Sequence, residues 1–436
     1  MKNSGVEWIG EIPDDWEVKR GKELFFEIND RCKNPENYPL LSVSEYYGVA
    51  PKSEKIDEGD FITHAETLDG YKICQKGDIV QNIMLAWKRA TGMSNYEGLI
   101  SPAYCIYRPY KSIDSKYYHY LFRTDVYADL FKQYSTGIID SRLRLYPAKF
   151  LSLKYAYPPK ETQQRIASYL DKKCSKIEET IQNQQQVIEK LKAYKQSLIT
   201  EAVTGKVKIE NGKICGVYES YKDSGVEYLG KIPLDWNIKR LRYIGKCQNG
   251  ISKGGEFFGS GFPFVSYGDV YNNLVLPETV SGLIESTHEE QENYSVKAGD
   301  IFFTRTSETI EEVGFTSVCL KTIENATFAG FVIRVRPFTD ELIPDYSKYY
   351  FSSDAHRRFF VKEMNLVTRA SLSQDLLKRL PVLIPSKEEQ KEIANYLDKK
   401  CTAIDTAIEQ KQNLVEKLTE YKKSLIYECV TGKKEI

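Results

Sequence analysis

The sequence has no long apolar run, which excludes a large class of proteins. Nothing in its 436 residues approaches the ~18 consecutive apolar residues of a membrane-spanning helix. The opening residues MKNSGVEWIG also lack the charged and apolar regions of a signal peptide. Hydrophobic residues make up 41% and charged residues 28% of the chain, a balance typical of globular proteins. We therefore expect a cytoplasmic protein of roughly two to four domains that has no membrane partner.

Residues that bind metals are few and are not clustered. The nine cysteines include no CxxC pair, and the four histidines (His64, His119, His288 and His356) are far apart in the sequence. A structural zinc site needs about four such ligands at close spacing. We expect no metal site, and we expect the cysteines to be reduced and mostly buried.

Motifs of catalysis are missing as well. The sequence has no GxxxxGK[ST] phosphate loop, no HExxH, no GxSxG and no NPPY or DPPY of the kind that places a methylatable amine beside a cofactor. The GxG in FFGSGFPF (257–264) lacks the strand-to-helix context of a dinucleotide-binding turn. We expect no cofactor. A methyltransferase or nuclease with an unrecognised site stays an alternative.

What the sequence does contain is an internal duplication. SGVEWIGEIPDDWEVKR at 4–20 and SGVEYLGKIPLDWNIKR at 224–240 are identical at 11 of 17 positions. A second pair, 169–206 and 396–433, runs from YLDKKC to VTGK and is identical at 22 of 38 positions. The regions between these blocks differ strongly. The chain therefore consists of a short block, a variable insert and a helical block, each present twice, with 207–223 as the linker.

The helical blocks predict two long amphipathic helices. Proline precedes each helix, and Gly205 or Gly432 ends it, which leaves ~43 residues or roughly 64 Å. Apolar residues at heptad spacing form a narrow stripe on each helix, which predicts that the two helices pair as a coiled coil. The alternative is that each helix packs only on its own domain. The stripe residues are Leu170, Cys174, Ile177, Ile181, Ile188, Leu191 and Leu198 in the first copy, and Leu397, Cys401, Ile404, Ile408, Val415, Leu418 and Leu425 in the second.

The inserts, about 21–157 and 241–384, contain short strands and helices in the same order, so we expect one α/β fold for both. The net charge of zero argues against a uniformly basic nucleic-acid binder. Each insert nevertheless ends in a basic stretch, which suits selective contact with a phosphate backbone. For any one of these cations the alternative is a solvated surface charge. The candidate DNA-contacting residues are Arg142, Arg144 and Lys149, then Arg369, Lys378 and Arg379, with Lys88, Arg89 and Arg305 as weaker candidates.

Several segments resemble the specificity subunits of Type I restriction-modification systems, and the resemblance spans essentially the whole chain. The segments present twice read, in the first copy, SGVEWIGEIPDDWEVKR, ETQQRIASYLDKKCSKIEETI and LKAYKQSLITEAVTGK. GDIVQNIMLAW and EGLISPAY in the first insert and RASLSQDLLKRLPVLIP in the second also resemble target-recognition domains. The second insert departs from the family's glycine-rich pattern at FTRTSETIEEVG, around Arg305.

The resemblance implies a non-catalytic subunit that binds double-stranded DNA. Target-recognition domains at 1–157 and 224–384 would each read one half of a split, asymmetric sequence. Helical conserved regions at 158–206 and 385–436 would form an antiparallel coiled coil that spaces the domains and docks two methyltransferase (modification) subunits. Endonuclease and translocase (restriction) subunits would join this assembly. The implied fold is mixed α+β, a pseudo-two-fold tandem repeat.

A structural scaffold with no role in DNA binding is a further alternative. One measurement distinguishes it from a DNA-binding subunit. A scaffold would leave the mobility of DNA unchanged in the presence of the modification subunits, whereas a reader would retard it.

Overall fold

The computed structural model of the chain divides into two compact units. Unit 1 consists of Met1–Gln185 and Asn413–Ile436, and unit 2 consists of Gln186–Gln412. The structure describes residues 1–33, 35–54, 68, 70–307, 313–363 and 370–436. Each long helix contributes one part to each unit, so each unit contains residues from both copies of the duplicated sequence.

The elements of unit 1 follow in chain order. Its strands are β1 (Lys2–Asn3), β2 (Glu11–Ile12), β3 (Glu17–Arg20), β4 (Phe25–Ile28), β5 (Leu41–Ser44), β6 (Gly48–Pro51), β7 (Lys72–Cys74), β8 (Ile79–Asn82), β9 (Thr91–Met93), β10 (Gly98–Ile100), β11 (Tyr104–Pro109) and β12 (Lys154–Tyr157). Its helices are α1 (Gly21–Leu24), α2 (Ser115–Phe122), α3 (Asp125–Gln133), α4 (Pro147–Ser152), the first part of α5 (Lys160–Val203) and the last part of α11 (Lys387–Val430).

Unit 2 begins within α5 and contains the last part of that helix, and its other elements follow in chain order. Its strands are β13 (Lys208–Glu210), β14 (Lys213–Gly216), β15 (Tyr221–Asp223), β16 (Lys231–Pro233), β17 (Asn237–Arg240), β18 (Gly245–Asn249), β19 (Phe258–Val265), β20 (Leu283–Ile284), β21 (Ile301–Thr304), β22 (Thr306–Ser307), β23 (Thr316–Val318), β24 (Thr327–Phe328), β25 (Val332–Pro337), β26 (Ala370–Ser371) and β27 (Pro381–Ile384). Its helices are α6 (Tyr267–Asn272), α7 (His288–Asn293), α8 (Pro344–Ser352), α9 (Asp354–Glu363), α10 (Gln374–Leu377) and the first part of α11 (Lys387–Val430).

The central sheet has the same topology in both units. Its strand order is β4-β11-β8-β9 in unit 1 and β18-β25-β21-β23 in unit 2, and all neighbours are antiparallel. Aromatic side chains join the sheet to the following helices, as where Phe25 meets Tyr118 with ring centroids 5.2 Å apart and Phe303 meets Phe351 at 5.4 Å. The mixed α+β fold predicted from the sequence is confirmed.

Each insert contains an aromatic-rich segment that folds as two consecutive helices, α2 and α3 in the first and α8 and α9 in the second. The first breaks at Arg123 and Thr124 between α2 and α3, and the second breaks at Ser353 between α8 and α9. The hydroxyls of Thr124 and Ser353 donate to the carbonyls of Leu121 (2.8 Å) and Tyr350 (2.7 Å). These bonds compete with the helical backbone pattern, which explains the breaks.

The two long helices pair antiparallel within each unit. Each is 44 residues long. In unit 1 the first part of α5 lies beside the last part of α11, where Lys422 forms an ion pair with Glu178. In unit 2 the last part of α5 lies beside the first part of α11, with Lys195 and Asp405 2.6 Å apart. The predicted antiparallel coiled coil is therefore confirmed.

The stripe residues differ in burial along the helices. Toward the helix ends they join the cores of the units. Toward the helix middles several are only half-buried, as expected where the two helices contact each other and no sheet or further helix covers them. The buried members are Leu170, Cys174, Ile177, Ile188, Leu198, Leu397, Cys401, Ile404 and Leu425, and the half-buried ones are Ile181, Leu191, Ile408, Val415 and Leu418.

The repeated opening block closes each unit against the end of a long helix. Gly432 (φ 72°) follows α11, and a Cβ there would lie 2.4 Å from Pro13 and 3.2 Å from Trp16. Gly205 (φ 70°) follows α5, and a Cβ there would lie 2.3 Å from Pro233. Much of the internal repetition thus serves the same tight helix-end contact in both units.

Candidate nucleic-acid interface

Two loops of unit 1 lie side by side near the end of β8, a strand of the central sheet. The first, residues 83–90, follows β8, and the second, residues 134–146, connects α3 to α4. The Leu145 amide donates a 2.9 Å hydrogen bond to the Ile83 carbonyl and holds the loops together. These loops contain the predicted cations Lys88, Arg89, Arg142 and Arg144, and Lys149 follows in α4.

The second loop is folded into a compact finger, residues 135–145. Thr136 and Arg144 exchange two backbone hydrogen bonds of 2.9 and 3.0 Å. The tip contains a 3-10 turn, and its Asp140 accepts a 2.9 Å hydrogen bond from Lys132 of α3. A Cβ at Gly137 would lie 2.6 Å from the carbonyl oxygen of Arg142. The backbone segments of the finger therefore approach each other closely at Gly137, where a residue without a Cβ fits. The finger is therefore held both internally and against α3.

The cations of unit 1 differ in whether their side chains already form ion pairs or hydrogen bonds within the protein. Arg89 forms an ion pair with Asp125 of α3. The Arg144 guanidinium donates to the carbonyls of Ser141 (3.3 Å) and Leu143 (2.8 Å) on its own finger. Arg142 is exposed, and its side chain makes no hydrogen bond or ion pair with the described residues. Its charge is thus accessible to a phosphate or a base edge.

Sequence reasoning missed Arg123, which organises the same side of unit 1. Its guanidinium donates to the carbonyls of Arg89 (2.7 Å), Glu45 (2.9 Å) and Tyr46 (2.9 Å), and so ties the β5–β6 turn to the turn that carries Arg89. Burial lowers the pKa of Arg123 to about 10, which leaves it charged at neutral pH. No sequence signal marks this residue, because its carbonyl partners come from two distant turns.

His119, in the helix that ends just before Arg123, is neutral in the folded unit. Burial lowers the pKa of its imidazole to about 3, and the nearby Arg123 contributes to the same shift. Its Nδ1 accepts a 3.2 Å hydrogen bond from the Met93 amide. The residue packs and accepts a hydrogen bond, and it adds no positive charge to this surface.

Unit 2 joins its corresponding loops in the same way. Arg305 follows β21, and its carbonyl accepts a 2.7 Å hydrogen bond from the Leu372 amide. Leu372 and Leu145 are both 0% exposed and anchor the second loop in each unit. Thr306 and Ser371 pair beside this bond in the short strands β22 and β26. In their described residues, the two divergent inserts therefore share a backbone hydrogen bond that joins the segment after β8 or β21 to the segment before the short helix α4 or α10.

The predicted cations of unit 2 are partly neutralised. Lys378 lies 3.3 Å from Asp375, and Arg379 lies 3.5 Å from Glu363. Both pairs are at the surface, where such pairs contribute ~0–1 kcal/mol, so a phosphate could compete for either cation. Arg369 lies outside the described residues.

The long helices carry a second repeated surface. Side chains at spacings of four, three and four residues share one face of a helix. On that face both copies have the same four residue types, and the surface is largely exposed, with Tyr194 at 55% and Tyr421 at 52%. We call these sets the outer stripes: Lys190, Tyr194, Ser197 and Glu201 on α5, and Lys417, Tyr421, Ser424 and Glu428 on α11.

Metal-binding clusters and membrane-spanning helices are both missing from the described residues. Across the described ranges, no group of three or more His, Cys, Asp and Glu residues is arranged to hold a metal ion. None of the helices in the described part of the chain is long and apolar enough to cross a membrane.

Residues 233–417 match the family model of the Type I restriction modification DNA specificity domain. The resemblance to Type I specificity subunits is confirmed. The EcoKI specificity subunit of Escherichia coli (strain K12) is 24% identical over 447 residues, covering 97% of this chain and 90% of that protein. The MjaVIII specificity subunit of Methanocaldococcus jannaschii is also 24% identical, covering 97% and 93%.

Solved structures share the fold of the chain. A chain from a structure described as the basis of complex assembly and conformational transition of the type I R-M system aligns with a TM-score of 0.72 and 14% identity, covering 97% of this chain and 100% of that one. The HsdS subunit from Thermoanaerobacter tengcongensis aligns with a TM-score of 0.57 and 14% identity, covering 100% of both chains.

Proposed function

We propose that the chain is the non-catalytic DNA specificity subunit of a Type I restriction-modification complex. Recognition domains at 1–157 and 224–384 each read one half of a bipartite double-stranded DNA target. The helical regions 158–206 and 385–436 hold the domains apart and dock two methyltransferase subunits, with 207–223 as the linker. Restriction subunits join this assembly.

The proposal is supported mainly by one backbone hydrogen bond that occurs at corresponding places in two divergent inserts. It joins Leu145 to Ile83 in unit 1 and Leu372 to Arg305 in unit 2. The residue types in the joined segments differ between the copies, as two different half-sites require. Accessible cations beside the loops, such as Arg142, suit phosphate contacts that position the recognition domain on DNA.

The outer stripes support docking of two copies of one partner. The inserts have diverged, yet Lys190, Tyr194, Ser197 and Glu201 match the four residues of the second stripe. Their largely exposed side chains are not needed to fill a core, so packing does not account for the identity. A partner that binds both copies in the same way does, and an exposed tyrosine is a residue type enriched at interfaces.

The test is to assemble the chain with the methyltransferase subunits of its own system and measure both subunit stoichiometry and DNA methylation. We expect two methyltransferase subunits per chain and methylation of a split sequence. Tyr421→Ala should release one of the two subunits and leave the other bound, as measured by native mass spectrometry. Tyr194→Ala should release the other.

Lys423→Ala is the control for the stripes. Lys423 is exposed on α11, two residues from Tyr421 and therefore on a different side of the helix. The corresponding residue in the first copy is Gln196, so this position is not part of the repeated surface. The variant should keep both partners. Full stoichiometry in the double tyrosine variant would remove the outer stripes from the interface. Methyl transfer by the isolated chain would contradict the non-catalytic role.

A further inference from the structure

The tip of the finger (residues 135–145) exposes two neighbouring isoleucines. Ile138 is 100% exposed and Ile139 is 54% exposed. A single exposed apolar residue needs no explanation. Here, however, the completely exposed side chain belongs to a segment that hydrogen bonds within its own backbone and to α3 hold in place. A polar residue at this position would satisfy the fold equally well.

The finger is organised before any partner binds. The paired backbone bonds of Thr136 and Arg144 close its base, and the Lys132–Asp140 ion pair ties its tip to α3. Ordering a flexible loop on binding costs free energy, and a loop that is already ordered avoids that cost. Ile138 is therefore presented in a fixed position, as contact with one particular atom group on a partner requires.

The surroundings of Ile138 indicate what kind of partner the finger meets. Arg142, on the same finger, is exposed and makes no ion pair with the described residues. Lys88, in the adjoining loop, is exposed too. Cations beside an apolar tip suit DNA, where they contact phosphates while the tip meets an apolar group on a base edge. On the edges of B-DNA bases in the major groove, that apolar group is the 5-methyl group of thymine.

We propose that Ile138 is a specificity-determining residue that contacts the 5-methyl group of one thymine in the half-site read by the first recognition domain. The inference rests on the proposed function and adds to it a residue and a chemical group. The other use of an exposed isoleucine on DNA is as a wedge between base pairs. Unstacking one base step costs a few kcal/mol of free energy, and burying one isoleucine side chain gains about the same amount. A wedge made by a single isoleucine therefore gives little net stabilisation, whereas contact with a methyl group requires no unstacking.

The experiment uses the full chain assembled with its methyltransferase subunits. The target is first identified by sequencing methylated sites in cells that contain the assembly. Duplexes are then made in which each thymine of both half-sites is replaced, one at a time, by deoxyuridine, which lacks only the methyl group. One position, in one half-site, should bind roughly fourfold more weakly, as expected for one buried methyl-sized group.

The Ile138→Ala variant provides the second arm. It should bind the unmodified duplex roughly fourfold or more weakly, and it should no longer respond to deoxyuridine at the sensitive position. Ile214→Ala is the control, because Ile214 is 43% exposed on β14 of the linker. It should retain both the affinity and the response. Since the Ile138 side chain is fully exposed, its variant should also keep the melting temperature of the parent.

Three results would overturn the inference without touching the proposed function. These are an unchanged deoxyuridine response in Ile138→Ala, a uniform loss of affinity with no deoxyuridine effect, and a target whose half-sites contain no thymine on either strand. The uniform loss would indicate a wedge. If the parent assembly failed to bind any DNA, the proposed function itself would be contradicted.

Discussion

The cations beside the paired loops differ mainly in whether a carboxylate already lies near them. Arg89 faces Asp125, and Arg379 lies 3.5 Å from Glu363. Arg142 has no such partner among the described residues. A phosphate that approaches Arg379 must compete with a carboxylate, whereas one that approaches Arg142 need not. We therefore rank Arg142 ahead of Arg89 and Arg379 as a DNA-contacting residue.

Replacing Arg142 with alanine should weaken DNA binding by the assembled complex. If the guanidinium reads a base edge, the loss should be ~1–3 kcal/mol, with relaxed specificity in one half-site only. If it contacts a phosphate, binding to all sequences should weaken and the dependence on salt should fall by about one charge. Equilibrium binding at several salt concentrations distinguishes the two.

Arg379→Ala is the comparison for that measurement, and we expect a smaller loss because Glu363 already shares its charge. An Arg142→Ala protein with unchanged affinity, specificity and salt dependence would place this arginine outside the interface.

At the scale of elements, the glycines that end both long helices are suited both to the backbone conformation there and to close packing against the opening block. Gly205 and Gly432 adopt φ of 70° and 72°, as expected of a residue after a helix. Each also lies against a proline of the opening block in the same unit. The VTGK ending and the IPxDW segment are therefore two sides of one contact, and both are repeated because the contact is repeated.

Gly205→Ala should destabilise unit 2 for two reasons, and Gly212→Ala separates them. Gly212 has nearly the same φ, 69°, but a Cβ there would meet nothing within 4 Å. Its variant should lose ~1–2 kcal/mol from backbone strain alone. The Gly205 variant should lose about 1–3 kcal/mol more, because its Cβ would overlap Pro233.

The free energy of unfolding of unit 2, measured by hydrogen exchange of its most protected amides, reports both losses. Equal losses in the two variants would mean that Pro233 moves aside without cost. The packing of the opening block would then not depend on glycine.

At the scale of the whole molecule, the proposed function makes the long helices a spacer. Each has 44 residues, about 66 Å at the helical rise of ~1.5 Å per residue. The stripe residues follow a seven-residue repeat, so an insertion of seven residues preserves the apolar face. Such an insertion changes length without changing which side chains pair.

Inserting seven residues of the same heptad pattern into the middle of both helices should lengthen the unread gap in the DNA target. The added rise is ~10 Å, or about three base pairs at ~3.4 Å each. The half-sites should stay the same, because the inserts that read them are untouched. Sequencing of methylated sites measures the gap and the half-sites together.

A seven-residue insertion in the linker 207–223 is the control, and it should leave the gap unchanged. If the helix-extended protein methylated the original spacing, the helices would not set the distance between the half-sites.

The sequence by itself determined the duplication, the long helices and the type of fold. Heptad spacing and the helix-ending glycines are local signals, so they predicted the coiled coil, and the antiparallel pairing implied by the family resemblance is confirmed. The alternation of short strands and helices predicted two α/β inserts, and both form the same antiparallel sheet. The repeated motifs were also specific enough to reveal the resemblance to Type I specificity subunits.

Only the tertiary structure decided how individual side chains are used. Arg123 gains its role from carbonyls that the fold brings from two distant turns, and no local pattern encodes that meeting. The partner of Arg379 and the accessibility of Arg142 were equally hidden, because charge in a sequence does not show which neighbour neutralises it. Nothing in the sequence distinguishes Ile138 from the many other apolar residues. Its exposure depends on the hydrogen bonds that fold residues 135–145 into a finger.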